Sequence, residues 1–406
     1  MDEIGRTYLA LALHLNRHID GFVDAYFGPP ELKTEVEAGE PRPLDALADD
    51  AQQLAVAVEA SDYGAQRRDF LSRQVRAMRA VVRYLAGDPL DFVAEVEHYF
   101  DITPELVDES RFDDAHAALD RLLPGAGSLI DRMAAWRKSL ELAPDRILPV
   151  FDLARQETRR RTLALFDLPA GEELTLHLVE QQPWSAYNWY LGDYRSRIDI
   201  NTDLPLRANS AVPLLAHEAY AGHHTEHALK EQRLYRQQGR AEHAVQLLLA
   251  PECVLSEGIA DSARQIIFDD DDLAAFLRDE IYPLAGLPDL DVDQQQQIGQ
   301  ASEALRWVSG NAALLLHRDG RPPDEVQRYI EQHGLSTTRE AAQSMKFIQN
   351  PLFRSYIFNY AMGKALLAPL LEGPDRTANF ARLLSEPFTP TQVREWLAAG
   401  MGQGAM

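Results

Sequence analysis

Apolar residues recur at helical spacing through most of the first 165 residues. In residues 70–87 (FLSRQVRAMRAVVRYLAG), apolar side chains stand at i, i+3 or i+4, and i+7, and the pattern ends at Gly87. The segments DFVAEVEHYFDI, AHAALDRLL and SLIDRMAAWRKSL repeat this spacing, and proline or glycine residues separate them. The pattern therefore predicts a helical N-terminal region over residues 1–165.

The pattern changes between residues 172 and 205, where short stretches alternate apolar and polar side chains or are rich in strand-forming residues. The strand candidates are Glu173–Val179, Tyr187–Tyr190 and Arg197–Asn201. Gly192 and Asp193, between the second and third candidates, suit a tight turn. We therefore predict one small antiparallel sheet here, with a return to helices after Pro205.

The predicted fold class is mainly α, with this sheet placed directly before a histidine-rich helix. No internal repeat or low-complexity tract marks a boundary, so residues 1–165 and 166–406 are expected to form one continuous domain. The segment RIDIN, residues 197–201, could form an edge strand. It would then either pair with an extended peptide through main-chain hydrogen bonds or serve only as a structural strand.

Composition and charge narrow the function classes. Of 406 residues, 46% are apolar and 25% are charged, so the chain can bury a large core without disulfides. The formal net charge of −23 argues against nucleic-acid binding, which needs a basic face. We interpret this charge as a solvated acidic surface, in preference to adaptation to a salt-rich cytoplasm or to basic ligands.

The N-terminus, MDEIGRTYLALALHLNRHID, has a short apolar run that charged residues interrupt, which indicates a core helix and not a signal peptide. No stretch of about 18 apolar residues occurs, so no membrane span is expected. The single cysteine, Cys253, excludes an intramolecular disulfide and fits a reducing compartment. These observations together predict a cytoplasmic protein.

The segment His217–His227 (HEAYAGHHTEH) contains four of the twelve histidines. In the common zinc-peptidase motif His-Glu-x-x-His, two histidines one helical turn apart bind the metal, and the glutamate is the general base. Here position i+4 from His217 is Ala221, and the next histidines stand at i+6 and i+7. On a regular helix i+6 points away and i+7 lies about 10 Å along the axis, too far to share one ion.

The helix must therefore be distorted if both ends of the segment bind one metal, and Gly222 would permit a bulge or break. His217 is then the first ligand and Glu218 the general base. The second ligand is His223 or His224, and we favour His223.

A third ligand is expected from a following helix. The segment PECVLSEGIADSARQII carries Glu257 and, one turn later on the same helical face, Asp261. In sites of this kind the first carboxylate binds the metal, and the second accepts the N–H of a ligating histidine. We therefore predict one Zn²⁺ ion bound by Glu257 and the histidines, with Asp261 orienting His217.

The segment HEAYAGHH resembles the His-Glu-x-x-Pro-Gly-His-His signature of a large bacterial family known as domain of unknown function 885, which is placed among zincin-like metallopeptidases. SEGIAD is similar to the Glu-x-x-x-Asp element of thermolysin-like zincins. FNYAMGKALL resembles the Ser-Tyr-x-x-Gly segment of the family at Tyr360 and Gly363, and LLHRDGRPP resembles its Leu-His-x-x-Gly segment at His317 and Gly320. Ala221 stands where the family usually has proline.

The resemblance spans residues 185–365 and implies a zincin-like fold and zinc-dependent hydrolysis, with the N-terminal helices walling the cleft. Such an enzyme also needs a donor for the oxyanion of its tetrahedral intermediate. Tyr360, Tyr356 and Arg354, all within FRSYIFNYAMG, are candidates for this donor.

Three hypotheses follow. The first is a metallopeptidase acting on short peptides, and the second is a zinc hydrolase of non-peptide amides or esters that uses the same residues. The third is a helical binding protein with a structural or vestigial metal site, which the absence of an i+4 histidine supports. The expected partner is a peptide or small amide, with no nucleic acid and no membrane.

Overall fold

The computed structural model describes residues 1–403, which fold into a mainly helical protein, as predicted. Eight helices occupy the N-terminal region: α1 (Glu3–Asn16), α2 (Pro30–Ala38), α3 (Leu44–Glu59), α4 (Ala65–Leu85), α5 (Phe92–Phe100), α6 (Ser110–Leu122), α7 (Leu129–Ser139) and α8 (Pro144–Leu163). Helix α4 covers the segment in which the apolar spacing is clearest. It buries its apolar face, including Phe70, Val75 and Met78.

A three-stranded sheet follows, as expected, but its arrangement differs from the prediction. The strands are β2 (Glu173–Val179), β3 (Ala186–Gly192) and β4 (Arg195–Asn201), in the order β2-β4-β3. Strands β3 and β4 form an antiparallel hairpin, whereas β2 runs parallel to β4. The prediction of a purely antiparallel sheet was therefore wrong, because alternation identifies strands but not the order in which they pair.

The RIDIN segment lies in β4, the central strand, which is hydrogen-bonded to a neighbour on each side. It is not an edge strand, so its backbone cannot pair with a peptide. The hairpin turn is formed by Asp193 and Tyr194, both with positive φ, directly after Gly192. Positive φ at both central residues matches the type of turn that suits the twist of a hairpin.

A second, two-stranded sheet was not predicted. Strand β1 (Val23–Tyr26) pairs antiparallel with β5 (Val245–Leu247), so the chain is not wholly helical after Pro205. Both strands are too short for a period-two pattern to stand out in the sequence. This β1-β5 ribbon joins the N-terminal region to the later part of the chain.

The remaining helices are α9 (Ala211–Glu218), α10 (His223–Lys230), α11 (Glu252–Ile267), α12 (Asp270–Phe276), α13 (Tyr282–Ala285), α14 (Val292–Ser302), α15 (Val308–His317), α16 (Pro323–His333), α17 (Thr338–Gln349), α18 (Phe358–Leu371), α19 (Arg376–Ser385) and α20 (Pro390–Gln403). None of the described helices combines the length and apolar character that a bilayer crossing requires.

Two large apolar clusters form the core, and each contains residues from both 1–165 and 166–406. One joins α1, α3 and α4 to β5, α15 and α17, and the other joins α8 to α9, α11 and α18. Helices α11 and α18 cross at Gly258 and Gly363. A Cβ atom on Gly363 would lie 2.2 Å from the carbonyl oxygen of Val254, so the two backbones approach closely only because a glycine stands there. This crossing brings Glu257 close to Tyr360.

Candidate metal centre

The histidine-rich segment is broken at the predicted place. Helix α9 ends at Glu218 and α10 begins at His223, with a non-helical connection between them. A Cβ atom on Gly222 would lie 1.9 Å from the carbonyl oxygen of His217, so only glycine fits the close approach of the two helix ends. The break places two histidines six positions apart on the same side of the chain.

Three side chains converge at this break: His217, His223 and Glu257, here called the metal cluster. One nitrogen or oxygen atom from each lies within 4.8 Å of the other two. The His217 Nε2 atom is 3.3 Å from Glu257 Oε2, and the His223 Nε2 atom is 3.8 Å from Glu257 Oε1. The two imidazole rings are perpendicular, with centroids 4.8 Å apart.

Asp261 holds the far side of the His217 ring. The His217 Nδ1 atom lies 3.1 Å from Asp261 Oδ1, and Arg306 binds the other carboxylate oxygen. Burial alone would raise the pKa of Asp261, but the hydrogen bond with His217 and the charges of His217 and Arg306 lower it. Because the ionised carboxylate only accepts, His217 donates Nδ1–H to Asp261, and its Nε2 atom faces Glu257. Burial alone would lower the pKa of His217, but the contacts with Asp261 and Glu257 raise it well above its ordinary value. The Nε2 atom is therefore a site for a metal ion or for a second proton.

A second chain of contacts fixes the His223 ring, and it was not predicted. The His223 Nδ1 atom lies 3.0 Å from Ser256 Oγ, and that hydroxyl donates to Glu226 Oε2 at 2.6 Å. Glu226 in turn binds the Lys230 ammonium. Since the Ser256 proton is directed at Glu226, its oxygen accepts from His223 Nδ1–H, which leaves the His223 Nε2 lone pair free.

The donor set fits a divalent metal of the zinc type. Glu257 Oε1 accepts the Tyr356 hydroxyl at 2.6 Å, whereas the buried Oε2 atom has no hydrogen-bond partner. Two imidazole nitrogens and one carboxylate oxygen are the ligands of many catalytic zinc sites, which leave a fourth position for water. Without a cation or an extra proton, these lone pairs would face one another unpaired in a buried site.

His224 is not part of the metal cluster, although the sequence kept it as an alternative ligand. Its Nε2 atom lies 3.0 Å from Glu172 and its Nδ1 atom 2.8 Å from Ser196 Oγ, so both ring nitrogens are occupied elsewhere. Glu172 also accepts from the Tyr220 hydroxyl and from Arg159. We call Glu172, His224, Tyr220, Ser196 and Arg159 the Glu172 cluster; it ties the connection between α9 and α10 to β4 and α8.

The candidate oxyanion donors lie in different surroundings. Tyr360 lines the cavities around the metal cluster, and its ring is 6.4 Å from that of His217, measured between centroids. Tyr356 is buried and donates to Glu257, which suits it to positioning that carboxylate. Of the two tyrosines, Tyr360 is therefore the better placed to face a reacting group.

Arg354 points away from the site. Its guanidinium binds Glu95 of α5 and lies over the rings of Tyr84 and Phe92. The prediction that Arg354 donates to an oxyanion is not supported by these contacts. His317, which the family resemblance singles out, also lies elsewhere, and its Nε2 atom is 2.6 Å from the carbonyl oxygen of Ile348.

Two connected cavities meet at the metal cluster. The open cleft, of about 610 Å³, is bounded by β3 and α17, and the inner chamber, of about 110 Å³, extends toward the β1-β5 ribbon. Residues that line both are Trp184, Ala186, His217, Glu218, Phe347 and Tyr360. Glu218 is 8% exposed, and burial raises the pKa of its carboxyl, with His217 and His223 acting against that rise.

The edge strand beside the site is β3 and not β4. Within residues 1–403, β3 has a strand partner on one side only, and its first residue, Ala186, lines both cavities. Asn188 of β3 donates to the carbonyl oxygen of Glu218 at 2.6 Å, which anchors the strand to the end of α9. The peptide-pairing role predicted for RIDIN is therefore open to β3.

No family model and no curated protein matches the chain. Among solved structures, it is similar to a "putative lipoprotein" from Colwellia psychrerythraea, with a TM-score of 0.53, 14% identity and coverage of 91% of this chain and 70% of that one. A "putative lipoprotein of unknown function" from Shewanella oneidensis aligns with a TM-score of 0.47 at 10% identity, over 90% of this chain and 76% of that one. At such identities the first likeness concerns the fold alone.

Proposed function

We propose that the protein is a zinc-dependent hydrolase, with His217, His223 and Glu257 as the metal ligands. One observation carries this proposal. The Nδ1 atoms of both histidines are engaged by Asp261 and Ser256, so that both Nε2 lone pairs face the carboxylate of Glu257. Three protein ligands next to a cavity favour a catalytic site over a structural one, which would be closed by a fourth protein ligand.

A bound zinc ion would polarise the substrate carbonyl and make its water ligand more acidic. Glu218 lines both cavities beside the cluster, where it can accept a proton from water and pass it to the leaving group. Tyr360 would donate its hydroxyl proton in a hydrogen bond to the oxyanion of the tetrahedral intermediate.

The surroundings of the cluster favour a peptide substrate. Strand β3 has a strand partner on one side only within residues 1–403, and its first residue, Ala186, lines the open cleft. An extended peptide in the cleft could therefore add main-chain hydrogen bonds at this end of the strand. The open cleft, at about 610 Å³, falls in the range of small-molecule and short-peptide sites. A metallopeptidase of short peptides therefore accounts for more of the site than an esterase does.

The cytoplasmic location stays a prediction.

The test combines metal analysis with a peptide library. Purified wild-type protein should bind one zinc ion per chain and cleave peptides. The Glu218→Gln variant should keep the zinc and lose about 10³-fold in turnover, because the base is lost while the ligands are intact. Glu280→Gln, at an exposed position, is the matched control. Full activity in Glu218→Gln would contradict the assignment of Glu218 as general base. If the wild-type protein cleaved amides or esters but no peptides, the non-peptide alternative would be favoured.

A further inference from the structure

The inner chamber is too small for an extended chain. At about 110 Å³ it is smaller than the cavity of ~150 Å³ that holds one benzene molecule in an engineered protein. It is also more enclosed than the open cleft. A substrate whose carbonyl lies at the metal cluster can therefore extend freely into the open cleft, but it can place only one small group in the chamber.

Two polar atoms beside the chamber that have no partner can accept hydrogen bonds. Asn188 is 6% exposed, and because its Nδ2 donates to Glu218, its unpartnered atom is Oδ1. His243 is 7% exposed and its Nε2 atom has no partner; burial lowers the pKa of His243 to about 4, so the neutral ring can present this nitrogen as an acceptor. A primary ammonium is the complementary ligand, because it has three donors and no acceptor.

Outside the metal site, two carboxylates of the chamber, Asp24 and Glu252, have no ion-pair partner within residues 1–403. Glu226 is paired with Lys230 and Glu231 with Arg236. The positive charge of Lys230 still acts on Glu252, whereas Asp24 of β1 accepts only the Tyr187 hydroxyl. In the described part of the chain, no lysine or arginine nitrogen lies within ion-pair distance of Asp24. A partly buried carboxylate is stabilised by a positive partner, and a ligand in the cavity can supply that charge.

We propose that the inner chamber binds a primary ammonium group through Asp24, and that this group is the free α-amino terminus of a peptide. The inference rests on the proposed function and adds that the enzyme acts as an aminopeptidase. Position favours the α-amino group over a lysine side chain. Asn188 donates to the main-chain carbonyl oxygen of Glu218, so the chamber begins next to the proposed general base. The α-nitrogen is separated from the scissile carbonyl carbon by one atom, whereas a lysine Nζ is separated from it by five.

The first test compares matched substrates. Aminoacyl amides with a free α-amino group should be cleaved with kcat/KM about 100-fold above their N-acetylated forms, because acetylation removes the charge and two donors. Asp24→Asn, which keeps an acceptor for Tyr187, should lower kcat/KM for the free amines by about 10- to 100-fold and leave the acetylated substrates unchanged. Asp20→Asn, an exposed aspartate nearby, is the control and should match wild type.

Equal turnover of free and acetylated substrates, or an unchanged preference in Asp24→Asn, would overturn the inference. A preference for Nα-acetyl-lysine substrates would overturn the assignment to the α-amino group. Calorimetry with L-alaninamide and N-acetyl-L-alaninamide separates this inference from the proposed function. Selective binding of L-alaninamide without peptide turnover would support the Asp24 site and contradict the proposed peptidase function. Peptide turnover without selective binding of L-alaninamide would support the peptidase function and contradict the Asp24 site.

Discussion

The metal cluster and the Glu172 cluster both combine a glutamate with histidine beside the helix break, yet they differ in charge balance. Glu172 accepts from His224, Tyr220 and the guanidinium of Arg159, so its charge and its lone pairs are satisfied by the chain itself. Glu257 accepts one hydroxyl and faces two imidazole lone pairs with a buried oxygen that has no partner. The first cluster is complete without a ligand, whereas the second needs one positive charge, from a metal ion or from a proton on His217.

The comparison predicts opposite effects on zinc binding. Glu257→Gln keeps an acceptor for Tyr356 but removes the charged ligand atom, so zinc affinity should fall by more than about 100-fold. Glu172→Gln should leave zinc affinity within a few-fold of wild type, because Glu172 does not touch the metal ligands. Competition with a chromogenic chelator measures both. Equal zinc affinity in Glu257→Gln and wild type would remove Glu257 from the ligand set.

The stability of the zinc-free protein should show the reverse order. Glu172→Gln leaves Arg159 without its partner and weakens two hydrogen bonds in a buried network, which should cost about 2–3 kcal/mol in the free energy of unfolding. Urea titration in the presence of a chelator gives this value. Glu173→Gln, at the exposed neighbouring position, is the control and should stay within about 0.5 kcal/mol of wild type. An unchanged free energy of unfolding in Glu172→Gln would contradict the proposal that Glu172 stabilises the fold.

The sequence predicted the break at Gly222 because its histidine spacing is incompatible with a regular helix, and it predicted Asp261 because the i, i+4 spacing from Glu257 is local. It could not predict the contacts that depend on tertiary packing. Glu172 lies 52 residues before His224 in the sequence, and no local pattern joins them. Arg354 was misplaced for the same reason, since its partner, Glu95, is 259 residues away.

The outer partners of the two proposed histidine ligands, Asp261 and Ser256, should affect zinc affinity less than the ligands themselves, and to different extents. Asp261→Asn replaces a charged acceptor, so zinc affinity should fall by about 10-fold. Ser256→Ala removes a neutral acceptor from His223, and its effect should be smaller, because charge-assisted hydrogen bonds are about twice as strong as neutral ones. The same chelator competition measures both variants. A larger loss in Ser256→Ala would mean that His223, and not His217, depends more on its outer partner.

The pH dependence of stability should also separate the two clusters. Burial would raise the pKa of Glu172, but the hydrogen bonds from His224, Tyr220 and Arg159 lower it below its ordinary value of 4.5. A depressed pKa in the folded state means that Glu172 contributes its full stabilisation above pH 4.5 and loses it as the pH falls through the folded-state value. In zinc-free protein, the difference in unfolding free energy between wild type and Glu172→Gln should therefore be largest near pH 7 and shrink below pH 4.5. A difference that stays constant across this range would show that the carboxylate charge of Glu172 does not stabilise the fold.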